Sequence, residues 1–193
     1  MLKGGIILLI LLKSLNNKKY WIITILLYAF SLLSIIYMAY NPHLYVTLDM
    51  SKINEKNVNY FYVLSSNLLI IIKNYGFGLL TFAIYVFFSC VQNIISLGII
   101  ANALIINGHV ALFYKMIPHG VLELFGIIIS FTAILFCFYK IVYMLPRILK
   151  SEVSIKKVIL ELATFLLASM LLEVIIFLIA GFIEVFVSWV KVT

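Results

Sequence analysis

Charge is what this chain has least of. Only 11% of its 193 residues are charged, and seven of them are acidic, whereas a soluble domain carries about 25% charged residues. A soluble domain of this size has too much surface per unit volume to hide a composition that is 65% hydrophobic. Lipid is the solvent that removes the conflict. Cysteine is also scarce: Cys90 and Cys137 each lie inside an apolar stretch, with no Cys or His at ligand spacing. A disulfide framework and a thiolate metal site are thereby excluded, and both read as small buried hydrophobes. Proline occurs three times, so long helices run with few breaks. There is no Gly-rich phosphate loop, no His-Glu-x-x-His and no nucleophile elbow around a Ser or Cys. The chain is therefore not expected to hydrolyse ATP through a P-loop, and no cofactor or metal is expected.

What is present is a set of apolar runs near the roughly 20 residues needed to cross the hydrocarbon core. The spans expected are 20–40, 76–92, 94–114, 120–141 and 158–190, in an all-α polytopic transmembrane bundle that forms a single domain over 1–193. Tyr20, Trp21, Tyr37 and Tyr40 mark the two ends of the first span, as aromatic residues do at membrane interfaces. Asn41-Pro42 ends it. Residues 41–67 form a polar outer loop, and 142–157 a basic cytoplasmic loop. Residues 76–114 hold no charged side chain. At 1.5 Å per residue they would reach about 58 Å, so two crossings with a turn near Gln92 and Asn93 are expected. A re-entrant segment is the alternative. The apolar run 4–12 is too short to span and reads as an interfacial or packed N-terminal piece.

The net charge is +7, but the Lys and Arg flank apolar segments and form no free basic patch. The charge is topological, and nucleic acid is not a partner. With the N-terminus inside, Lys3, Lys13, Lys18, Lys19, Lys140, Arg147, Lys150, Lys156 and Lys157 fall on the cytoplasmic side, nine of fourteen. The positive-inside rule then favours a cytoplasmic N-terminus and an outer C-terminus.

Polar residues inside apolar spans are the informative ones, because an ionisable group at mid-membrane costs about 2.5–3.5 kcal/mol on insertion scales. Pro118 suits the first turn of a helix. His119 and Glu123, four apart, then share a face. Glu173 and Glu184 share a face of the last span, with Glu173 at mid-depth and Glu184 about 15 Å further out. His119, Glu123 and Glu184 can thus meet at one depth on the outer half. Glu161 falls near the cytoplasmic interface. Three readings stand for this cluster: a structural network joining helices, a proton or ion relay, and a metal or hydrolase centre. Ser89, Asn93, Ser96, Ala103 and Asn107 recur at helical spacing, with Gly98, Ala101, Asn102 and Gly108 near them. They suit close helix packing, or the lining of a groove.

Asn102-Ala-Leu-Ile-Ile-Asn-Gly108, followed by Pro118-His119-Gly120-Val-Leu-Glu123 and by Ala180-Gly-Phe-Ile-Glu184, resembles the stage II sporulation protein M family over residues 67–188. The resemblance rests chiefly on the Pro-His-Gly-x-x-Glu element. Gly126-Ile-Ile-Ile-Ser130 stands where that family usually has a run of small residues. The resemblance implies about five spans in a bacterial plasma membrane, and no enzymatic activity. It also implies a partner: an ABC ATPase or another membrane protein, in export of, or immunity to, a hydrophobic peptide such as a bacteriocin. The alternative it leaves is a structural protein of sporulation engulfment that anchors cell-wall hydrolases. Self-association is open under either. The residues it marks are Asn102, Gly108, Pro118, His119, Gly120 and Glu123; Glu173 joins them from its depth, and Glu184 from both.

Overall fold

The computed structural model describes residue 10, residues 13–44 and residues 60–186. Among the described residues five long helices follow one another: α1 (Lys18–Ala39), α2 (Tyr60–Leu80), α3 (Ile84–Ile106), α4 (Val110–Leu149) and α5 (Ile155–Phe186). All five are long and apolar enough to cross a membrane, and the chain is a multi-pass helical membrane protein. The expected piece at 4–12 lies outside the described residues except for Ile10, as do 45–59 of the expected outer loop and 187–190 of the last expected span.

The boundaries differ from expectation in three places, each for a local reason. Gln92 and Asn93 lie inside α3, not at a turn. The Asn93 amide donates to the Ser89 carbonyl one turn back at 2.9 Å, so its polarity is satisfied within the helix. The reversal comes instead at Thr81, Phe82 and Ala83, where Phe82 and Ala83 take left-handed backbone, with φ of 52° and 68°. The second crossing accordingly begins at Tyr60 rather than 76. It takes in Lys73, which is exposed, and Asn74, which is buried. Finally, Pro118 is not at the head of a helix. Both Pro118 and Pro146 lie inside α4, which extends through the first half of the expected basic loop. Proline removes a backbone hydrogen bond from a helix, and in lipid this is tolerated where neighbouring groups re-satisfy the freed carbonyl.

The core runs along the contacts of α4 with its neighbours. Leu124, Ile127, Ile128, Ala133, Ile134 and Cys137 are buried there, with Ile71 and Tyr75 of α2, Val86 and Cys90 of α3 and Phe165 and Phe177 of α5. Polar groups stitch α1 to α4. The Thr24 and Thr132 hydroxyls meet at 2.9 Å, and Tyr28 donates to the Val121 carbonyl at 3.2 Å. Interhelical bonds of this kind contribute about 0.6 kcal/mol each in a membrane.

The helices differ in length, and the difference shapes one end of the bundle. At 40 and 32 residues, α4 and α5 reach about 60 Å and 48 Å, against a hydrocarbon core of about 30 Å. Tyr20, in the first turn of α1, packs on Phe136 and Phe165, and Phe82, in the α2–α3 turn, packs on Phe138 with ring centroids 4.8 Å apart. The shorter helices therefore end near that level. Beyond it α4 runs on for eleven residues to Leu149, about 16 Å, and α5 returns from Ile155. Arg147 pairs with Glu152 at 3.7 Å across the tip, and Lys140 pairs with Glu161 across the stem.

Candidate functional site

The buried face of α2 carries Val63, Asn67, Ile71, Asn74, Tyr75 and Gly78. That spacing of three to four residues makes one stripe of a helix, and the stripe faces α4 and α5. Two polar levels lie along this seam. At the level nearer the start of α2 the Asn67 amide donates to Glu123 Oε1 at 3.3 Å. Glu184 of α5 stands within electrostatic reach of Glu123. Both carboxyls are half-buried.

At the inner level lies Glu173, with none of its surface exposed. Asn74, Tyr75 and Ser130 turn polar atoms toward it, yet neither carboxyl oxygen has a hydrogen-bond partner within bonding geometry. The Tyr75 hydroxyl is buried and also without a partner. The Asn74 amide instead donates to Ser130 Oγ at 3.4 Å, and Ser130 donates to the Ile127 carbonyl at 2.9 Å. Between the two levels sits the buried ring of Phe177, beside Gly126.

The remaining sequence-marked residues serve other ends. The His119 ring is directed to the Lys115 carbonyl one turn back on its own helix, in the turn that Pro118 disturbs. Glu184 stands within electrostatic reach of Glu123, while His119 lies one helical turn before Glu123 along α4. Gly120 is buried, and a Cβ there would stand 2.7 Å from Leu97 Cδ2 of α3. Gly108 has φ +75°. It closes α3 in a Schellman turn, with the His109 N–H on the Leu104 carbonyl and the Gly108 N–H on the Ile105 carbonyl. Asn102 is a cap supplied from outside. Its amide donates to the carbonyls of Met38, Ala39 and Asn41, at 3.1, 3.1 and 3.0 Å, and so satisfies the C-terminus of α1.

Asn67, Asn74, Tyr75 and Ser130 escape the sequence reading. A signal existed: Asn67 and Asn74 are seven apart on the stripe of Val63, Ile71 and Gly78, a helical period in a segment taken partly for a loop. Among the described residues no three His, Cys, Asp or Glu side chains gather as a metal site. The thiols of Cys90 and Cys137 are buried and free.

Comparison with known proteins agrees with this architecture. The model of the family described as stage II sporulation protein M matches residues 15–189. No curated protein matches the chain, and no solved structure does.

Proposed function

The chain belongs to the stage II sporulation protein M family, and from that premise we propose that it is a non-catalytic subunit of a bacterial plasma membrane, paired with an ABC ATPase in export of, or immunity to, a hydrophobic peptide. The observation that carries the reading is the α4–α5 hairpin. An ATPase is soluble and must grip what the membrane subunit extends beyond the bilayer. The hairpin extends about 16 Å past the other helices. It presents Val142, Tyr143, Leu145, Leu149 and Ile155 exposed, beside Arg147, Lys150, Lys156 and Lys157. Apolar anchors with a charged rim are the usual composition of a protein contact.

Charge supports the same orientation. If all five helices cross, the observed order moves Lys73, eight residues from the start of α3's flanking turn, to the side of the hairpin. The nine residues counted above then become ten of fourteen, leaving Lys52, Lys56, Lys115 and Lys191 on the other side. That asymmetry supports a cytoplasmic N-terminus and a cytoplasmic hairpin.

The test is purification in mild detergent with a photocrosslinker at Tyr143 or Lys150. An ATPase subunit should be captured, and R147E/K150E should lose it while still inserting. Deletion of the gene should lower export of, or resistance to, the peptide. Capture of cell-wall hydrolases, with expression confined to sporulating cells, would replace this reading by the engulfment one.

A further inference from the structure

We propose that Glu173, Asn74, Tyr75 and Ser130 form an intramembrane binding site for a monovalent alkali-metal cation. The site is built from three helices and sealed from solvent. Glu173 and Ser130 are 0% exposed, Asn74 1% and Tyr75 6%. A carboxylate in so dry a place is costly unless a cation neutralises it. No cationic side chain is among the groups acting on Glu173. Its two oxygens and the Tyr75 hydroxyl stand without hydrogen-bond partners.

The hydrogen bonds that do form leave the Glu173 oxygens unmet. Ser130 spends its proton on the Ile127 carbonyl, and Asn74 spends its amide on Ser130. What remains is the two Glu173 oxygens and the Tyr75 hydroxyl, all without partners, and the second lone pair of Ser130 Oγ, whose first accepts from Asn74. This is an all-oxygen set, which suits hard cations. Its single negative charge matches a monovalent ion, because a divalent one would leave an uncompensated charge in low dielectric. The nearby titratable groups of the other helices, Tyr20 of α1 and Cys90 of α3, are neutral in their ordinary forms.

The same seam supplies an approach. Glu123 and Glu184, with Asn67, lie on its outer half, where two neighbouring carboxyls attract cations. Phe177 lies between them and the inner site. A Cβ on Gly126 would stand 3.3 Å from Glu173 Cγ and 3.4 Å from the Phe177 ring, so the glycine lets both side chains reach the α4 backbone. The cation site stands apart from the partner reading and does not require an ATPase.

The experiment is thermal unfolding of the purified full chain in detergent, followed by Trp fluorescence, in NaCl, KCl, LiCl or choline chloride at equal ionic strength. The midpoint should rise saturably with at least one alkali cation and not with choline. E173Q should abolish the response, and Y75F or S130A should weaken the apparent affinity at least tenfold. E161Q, on the exposed stem of the hairpin, should keep it. Equal midpoints in all four salts would overturn the proposal. So would a retained response in E173Q, or a salt-insensitive wild type that E173Q stabilises, which marks a protonated structural carboxyl. If E173Q does not fold, binding to the wild type of a radioactive isotope of the cation that raised the midpoint, and its at least tenfold weakening in Y75F and S130A, decide the matter.

Discussion

Replacing Asn102 by Ala should loosen the far end of α1. The Asn102 amide serves three carbonyls, those of Met38, Ala39 and Asn41, and Asn102 is 1% exposed. An amide has two hydrogens, so one of them is shared, and the three contacts amount to about two full bonds. At about 0.6 kcal/mol for each interhelical bond in a membrane, their loss removes about 1.2 kcal/mol. The Met38 and Asn41 carbonyls keep the N–H groups of Asn41 and Leu44, but leaving the Ala39 carbonyl buried and unmet adds about 1–3 kcal/mol. Against this, Asn102 Oδ1 is itself buried without a partner, and N102A removes that penalty, again about 1–3 kcal/mol. The net is a destabilisation of about 1–2 kcal/mol. On the scale of soluble chains of this size that is a fall of roughly 2–8 °C in the unfolding midpoint. N102D is the sharper variant. It keeps the shape but points acceptor oxygens at three carbonyls, and its loss should exceed that of N102A. The assay is thermal unfolding in detergent with a thiol-reactive dye, since Cys90 and Cys137 are buried in the folded chain. If both variants unfold within 0.5 °C of wild type, about the resolution of such a scan and well under the shift worked above, Asn102 does not hold the end of α1 and the reasoning fails.

Other outcomes can be checked in the same scan. A83G should leave stability within about 1 kcal/mol of wild type, because relief of a left-handed φ that costs an L-residue about 1–2 kcal/mol is offset by loss of a buried methyl, about 0.8 kcal/mol; a fall of more than about 2 kcal/mol refutes strain at that turn. G108A should cost about 1 kcal/mol through its positive φ alone, since a Cβ there meets nothing within 4 Å. G120V should cost more, about 1–3 kcal/mol, because its added carbons collide with Leu97; L97A, which clears that space, should recover part of the G120V loss beyond additivity. T24V should weaken the α1–α4 contact by about 0.6 kcal/mol, and T24V/T132V together by less than the sum of the two single changes.

The solvent of this protein was legible from composition alone, because no arrangement of so few charges covers a water-facing surface. The number of crossings was legible too, but not where they turn. Hydropathy penalises Lys73 and Asn74 by residue type, whereas the fold exposes one and buries the other against Ser130. It reads Asn93 as a break, whereas that amide binds its own helix. Pro118 misleads likewise, since its local preference for a helix start yields to a helix that continues on both sides. Within the site, Glu173 and Glu184 were visible as a pair, because eleven residues return to nearly the same helical face. Their partners on α2 were not, because a residue's facing is known only once its segment is known to be a helix. The meeting of Asn67 with Glu123 joins residues 56 apart, and no local pattern encodes it.

The polar stripe of α2 bears on how the chain enters the bilayer. Of the five crossings α2 is the least apolar, with a mean hydropathy of 1.4 against 1.9 to 2.6 for the others. Its two buried amides find their side-chain partners on α4, at Glu123 and Ser130, which are synthesised some 50 residues later. During biogenesis α2 must therefore wait in the membrane with those groups unmet, or remain at the translocon until α4 arrives. The first three helices do not make a self-sufficient half. The fourth completes the second, so this bundle closes out of the order in which it is made.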